Sequence, residues 1–239
     1  MRAQRPALLI LAAASLALSA CQKGDDKLLD DKIHAYLLAH PEVIQEAENK
    51  LQAQQQQQQA DQTTALIDRN RAALERDPSD YVANPNGKIT VTEFYDYRCP
   101  HCSNMAPTVL SLIHDNPDVR FVFKEFPIFG GVSDHAAAGA LLVKRKGGDY
   151  LGLYRDFLAQ KAMDQGLVDQ ILKAHGVDPA ALAQPAVADA ATAHLNAVKQ
   201  LAVTLNIQGT PTFIVGDTEI PGEDPDGLKA AVAAARAKG

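Results

Sequence analysis

Cys99-Pro100-His101-Cys102 is the group of residues in this chain best suited to chemistry. Two thiols separated by two residues can close into a disulfide and reopen. A strand that hands such a pair to a helix N-terminus is the layout of a thiol–disulfide redox site. A zinc site needs two further ligands at matching spacing, and no second C-x-x-C or C-x-x-H pair is present, so no metal is expected here. Exchange requires a thiolate, whereas a free cysteine titrates at about 8.5. With Cys99 at the N-cap and Pro100 at the first helical position, the unpaired amides of the first turn and the positive helix end face the Cys99 sulfur. His101 adds a donor or a positive charge. The expected Cys99 pKa is therefore about 3.5 to 7.5. Cys102, one turn further and facing inward, keeps a higher value and acts as the resolving thiol. A stabilised thiolate favours the reduced form and makes the pair oxidising.

The elements that must position these thiols can be read on either side. Lys88 to Tyr95 reads as a buried strand, and Met105, Val109, Leu112 and Ile113 mark one side of the helix that follows. Far downstream, Gly209-Thr210-Pro211-Thr212-Phe213-Ile214-Val215 reads as a tight turn entering a strand. Proline can open a strand, and it can be cis where the turn demands it. Alone, this segment fits a simple loop before an edge strand equally well. Its pairing with the cysteine motif favours a functional reading.

Together, Cys99-Pro100-His101-Cys102, the strand containing Glu93 and Phe94, Phe123-Lys124-Glu125-Phe126-Pro127 and Gly209-Thr210-Pro211-Thr212-Phe213 resemble the DsbA-like thiol–disulfide oxidoreductases over roughly residues 88 to 238. The resemblance implies an α/β thioredoxin fold with a helical insertion. It makes Pro211 the cis-proline lying against the active-site disulfide, and it lets the backbone at Thr210 pair with an extended substrate segment. Glu93 would relay the proton as Cys102 attacks the mixed disulfide. Threonine before the proline looks more like the isomerase and reductase branches than the dedicated oxidases. No cofactor is implied.

The N-terminus reads as a leader. Arg2 and Arg5 precede an apolar stretch from Ala7 to Leu18, too short for a permanent span. Leu18-Ser19-Ala20-Cys21 resembles a bacterial lipobox, so residues 1–20 are expected to be removed and Cys21 lipidated, anchoring the chain to a membrane without spanning it. Ordinary signal cleavage after Ala20 is the alternative. The expected location is the periplasmic side of a bacterial envelope. With Cys21 so used, only Cys99 and Cys102 remain, and a bridge over two residues would staple almost nothing. Loss of Arg2 and Arg5 takes the formal charge from −6 to −8. A mildly acidic chain without a basic stripe argues against nucleic acid as a partner.

Residues 21–27 read as a tether and 28–80 as a helical stem. Leu28 to Ala39 forms a short helix, and Pro41 opens a longer one. Leu37, Ile44 and Leu51 recur every seventh residue and line one seam with no local core to cover it, which points to a homo-oligomer. The Gln54–Gln59 run either continues the helix or forms a disordered linker. The Leu37-Leu38-Ala39-His40-Pro41-Glu42-Val43 stretch resembles the oligomerising segment of the suppressor-of-copper-sensitivity C branch of the same family. Asn84-Pro85-Asn86-Gly87 is a turn before the catalytic domain, 88–239. Within that domain Val119 to Phe123 forms the second strand. A helical insertion covers about 133–205, broken at Gly147-Gly148, Gly166 and Gly176 to Pro179. Phe213–Val215 and Glu219-Ile220 pair, and Leu228 to Ala237 closes the fold.

Among the remaining polar residues, alternation places Glu93 on the strand face opposite Thr92 and Phe94, buried under Cys102, with Lys124 a candidate partner. His34, His40, His114, His175 and His194 read as surface or capping residues, His135 as structural, and Phe129-Gly130-Gly131 as a loop near the groove. The whole describes an exported oxidoreductase that isomerises or reduces disulfides in cysteine-containing envelope proteins and is recycled by a membrane redox partner. A monomeric dithiol oxidase is the first alternative. A copper-binding or holdase protein that uses the cysteine pair as soft ligands is the second.

Overall fold

The structure, a computed structural model, describes residues 27–238. Cys21, the leader over 1–20 and the tether up to residue 26 lie outside the described residues. Contacts divide the chain between Gln59 and Ala60.

The described part of the first unit is helical: α1 covers 27–39, and α2, Glu42–Glu75, begins directly after Pro41 and continues past Gln59 into the second unit. The glutamine run lies inside α2, in keeping with the good helix propensity of an unbranched side chain. It is a helix and not a disordered linker. Of the seven-residue seam, Ile44 and Leu51 are exposed and Leu37 is half-buried.

The second unit is built on a five-stranded sheet, ordered β1-β3-β2-β4-β5, with β1 Tyr81–Ala83, β2 Ile89–Tyr95, β3 Val119–Glu125, β4 Thr212–Val215 and β5 Thr218–Pro221. β2 and β3 run parallel, joined by α3, Pro100–Asp115; the other pairings are antiparallel. β2 is central and buried on both faces, which explains its near-continuous β-branched and aromatic run. At the turn before it, a Cβ on Gly87 would lie 2.4 Å from the Arg120 backbone nitrogen, so only glycine fits. β1, which the sequence reading did not assign, pairs Val82 with Val122 at the sheet edge.

The insertion contains α4, Val132–Arg145, α5, Tyr150–Leu158, α6, Gln165–Ala174, a short 3-10 turn at Pro179–Ala183 and α7, Pro185–Thr204. The break expected at Gly166 falls earlier: Asp164 caps α6 by accepting from the Leu167 amide, leaving Gly166 inside the first turn. α8, Pro225–Lys238, closes the chain. Two cores flank the sheet. One gathers Val91, Tyr95, Met105, Phe121, Phe123 and Phe157. The other joins Ile67 and Leu74, from the last part of α2, to Phe94, Val198, Leu201 and Ile214. The segment after Gln59, which the sequence reading placed in the stem, thus belongs with the compact unit starting at Ala60.

Candidate active site

Cys99 is the N-cap of α3, in extended conformation with φ −77° and ψ 119°, and Pro100 follows at the first helical position. Its amide donates to the Asp96 carbonyl at 3.1 Å. The Asp96 carboxylate accepts from the Arg98, Ile128 and Phe129 amides and from the Ser133 hydroxyl. One buried carboxylate therefore fixes both the turn before the cysteines and the Phe129-Gly130-Gly131 loop. The sequence offered a signal for it in the Asp-x-Arg turn, since Asp readily accepts from the backbone two residues on.

Both thiols are reduced and buried, Cys99 at 3% exposure and Cys102 at 0%. The Thr210–Pro211 peptide is cis, and the Thr210 carbonyl accepts from the Cys99 thiol at 3.2 Å. The cysteine motif and the Gly-Thr-Pro turn, separated by over a hundred residues, therefore meet. The Cys99 thiol is pushed down to about 5, first by the hydrogen bond from Cys102 and, against burial, by Thr210 and the amides of Cys102 and His101. The Thr210 carbonyl serves the neutral thiol. Its hydroxyl, buried without a partner among the described residues, is the group able to donate to the thiolate. Cys102 is driven the other way, mainly by burial, then by the bond and charge of Cys99 and the charge of Glu93. One thiol is ready to ionise and its partner is held protonated.

Glu93 is fully buried and pushed up to about 8 by burial, against a hydrogen bond from Tyr154. The Tyr154 hydroxyl reaches both Glu93 oxygens at 3.1 Å. Lys124 is not its partner: the register sets Glu93 beside Phe123 and Phe94 beside Lys124, so Lys124 projects from the opposite face. There its ammonium donates to Asp80 at 2.5 Å and to the Ala73 carbonyl. Tyr154 lies in the insertion, 61 residues from Glu93, and nothing local in sequence announces it.

His101 is exposed at the mouth, where its Nδ1 meets Glu223 at 2.8 Å, and Asn104 donates to the same carboxylate. That hydrogen bond raises the His101 pKa, helped by the Cys99 charge. Glu223 follows β5, in a loop pinned by the Gly222 amide donating to the Pro211 carbonyl. Sequence reading missed it as well. It also misplaced His194, which is buried in α7 facing Asp80 and Glu125 instead of lying at the surface. His175 caps α6, and His135 bonds Asp169 across two insertion helices.

Residues 90–233 match the DSBA-like thioredoxin domain family. The chain belongs to that family. Residues 26–58 match the copper resistance protein ScsC N-terminal domain. Among solved structures, BcfH of Salmonella enterica Typhimurium is 33% identical, with 92% of this chain and 99% of that one aligned at a TM-score of 0.73. Proteus mirabilis ScsC in a transitional conformation is 27% identical over 92% and 99% of the two chains, at 0.67. The "Disulfide bond formation protein D" of Bacillus subtilis is 28% identical over 144 residues, 55% of this chain, which spans 65% of that relative's length. The likenesses to BcfH and ScsC extend beyond the thioredoxin domain to the helical N-terminal segment. Among the described residues no helix is long and apolar enough to cross a membrane.

Proposed function

We propose that the chain is a thiol–disulfide oxidoreductase of the cell envelope that isomerises or reduces disulfides in cysteine-containing proteins. The observation that carries this reading is the opposed behaviour of the two thiols, Cys99 pushed down to about 5 and Cys102 pushed up, beside the Thr210 backbone. The Cys99 thiolate attacks a substrate disulfide, and one substrate sulfur leaves as a thiolate. The mixed disulfide then has two fates. A second substrate thiolate can attack it, which isomerises the substrate and returns reduced enzyme. Alternatively Cys102 attacks, closing the Cys99–Cys102 disulfide and passing two electrons to the substrate. Glu93, with a pKa near neutrality, is suited to take the Cys102 proton in that step. A membrane redox partner would then return the pair to its reduced state. Pro100 and Pro211 shape the site, and His101 stabilises the thiolate.

The preference for isomerisation or reduction rests on Thr210 and on the seam of Leu37, Ile44 and Leu51, of which Ile44 and Leu51 are exposed, which suits a homo-oligomer presenting several redox sites to one substrate. Cys21 would tether that assembly by lipid to the periplasmic side of a membrane. Refolding of a scrambled-disulfide substrate tests this reading, comparing the chain from Gln22 with a truncation beginning at Ala60. The cut falls there because Ile67 and Leu74 belong to the core. Loss of isomerisation on truncation supports the oligomeric isomerase. Equal rates of simple oxidation by both would make the chain a monomeric oxidase. Full function in the Cys99→Ala and Cys102→Ala variants would instead point to a holdase.

A further inference from the structure

A cleft of about 450 Å³ lies at the start of β2, the end of the strand away from the cysteines. Its size falls within the range of small-molecule sites. Arg71, Glu75 and Arg76 at the end of α2, Lys88 and Thr90 at the start of β2, and Arg236 of α8 line it. Two of these cations are already paired. Arg71 donates to Asp68, Glu75 and Asp217, and Arg236 donates to both Asp118 oxygens at 2.8 and 2.9 Å. The side chains of Arg76 and Lys88 make no hydrogen bond or ion pair among the described residues. A third guanidinium joins them. Arg120, beside Thr90 in the register of β2 with β3, is 7% exposed, and its Nη1 is buried without a partner among the described residues. Its charged neighbours are Arg76, Glu75 and Asp80, of which Glu75 is taken by Arg71 and Asp80 by Lys124. Three cations therefore crowd one place with no carboxylate of their own, and one of them holds a buried donor whose unmade bond is costly.

We propose that Arg76, Lys88 and Arg120 bind a phosphate group in this cleft. A phosphate monoester carries about −1.5 to −2 charges near pH 7 and offers three acceptor oxygens. That matches three uncommitted cations, where a single carboxylate would leave two of them unanswered. A guanidinium meets phosphate with parallel N–H donors, and the buried Arg120 Nη1 is a donor already stripped of water. The surroundings hold these groups in place. A Cβ on Gly87 would strike the Arg120 backbone nitrogen, so glycine lets the turn before β2 press against β3. The Lys88 and Ile89 amides both donate to the Asp118 carbonyl, tying the starts of the two strands together. Arg71 and Arg236, each locked by its own carboxylates, form the walls on either side. The cysteines follow the other end of β2, so the site is separate from the redox pair. The cleft is larger than one phosphate and leaves room for the group esterified to it. Free phosphate compounds and the headgroup of a phospholipid share this chemistry.

The test uses the chain from Gln22, which keeps every described residue and carries no lipid. Inorganic phosphate is titrated calorimetrically at about 0.15 M sodium chloride, where exposed charges are screened beyond about 8 Å. The expected result is one equivalent bound per chain and a phosphate-dependent rise in the unfolding midpoint. Arg120→Met, Arg76→Gln and Lys88→Gln should each weaken binding by about tenfold or more. Should Arg120→Met fail to fold, the variants of the exposed Arg76 and Lys88 decide the matter. A second arm measures co-sedimentation with phosphatidylcholine vesicles made with and without phosphatidic acid. Binding that needs both phosphatidic acid and these three residues assigns the site to a lipid headgroup. Binding of free phosphate without any response to vesicles assigns it to a soluble phosphate compound. Absence of binding in both arms overturns the proposal and leaves Arg120 bonded to water. Binding that the three substitutions leave unchanged also overturns it, as a general attraction of anions to the surface.

Discussion

Glu93 and Asp80 are both buried carboxylates, yet on opposite faces of the sheet they meet different partners. On the Cys102 side, among the described residues, Glu93 has only the Tyr154 hydroxyl as a side-chain hydrogen-bond partner, and burial pushes it up to about 8. On the other side Asp80 meets the Lys124 ammonium; burial pushes it up to about 7, with Lys124 pulling against the rise. A carboxylate left without a cation is one whose proton can come and go near neutral pH. A carboxylate joined to a buried lysine is a clamp between segments. The difference separates a group suited to proton transfer from one that holds the fold.

The strongest way to break this contrast is to remove the cation. Lys124→Met leaves Asp80 buried and unpaired, and denaturant unfolding at neutral pH should show a loss of about 3 to 5 kcal/mol. Glu93→Gln should act in the opposite direction. Because the folded pKa of Glu93 lies above its unfolded value, the native state binds the extra proton. Its stability therefore falls as pH rises between 4.5 and about 8. Unfolding of Glu93→Gln at about pH 8 should show a gain of roughly 4 kcal/mol over the parent chain, vanishing below about pH 4. If the variant were less stable at alkaline pH, Glu93 would not be an uncompensated carboxylate. Tyr154→Phe should raise the Glu93 pKa further and cost about 1 kcal/mol where Glu93 is ionised, a shift readable by NMR titration. Thr210→Val, which removes the hydroxyl able to donate to the Cys99 thiolate, should raise the Cys99 pKa by about one unit or less, measured by thiolate absorbance. Smallest of all, Glu223→Gln should lower the pKa of His101, an exposed group, without changing stability.

Much of this arrangement was legible in the sequence because it depends on local periodicity. The Cys99 cap needs only the strand before it and the proline after it, and the burial of Glu93 follows from alternation along β2. The partner of Glu93 did not follow. Alternation says which residues share a face of one strand, but only the register, Glu93 beside Phe123, shows that Lys124 faces away. Tyr154 and Glu223 come from distant segments, and contacts at such separations leave no pattern in the chain. His194 misled for a related reason. A polar residue on a helix reads as solvent-facing unless the carboxylates waiting for it are known, and Asp80 and Glu125 arrive from other elements. The start of the compact unit was equally hidden, since α2 runs through it without a break in helical pattern.

The account stands most directly on the unequal thiols. The measurement is the thiolate ultraviolet absorbance of the fully reduced protein as pH is raised, with Cys21 changed to serine so that only Cys99 and Cys102 report. The predicted result is one thiolate appearing near 5, while Cys102 stays protonated far into the alkaline range. Two thiolates appearing together at about 8.5, as in free cysteine, would contradict it.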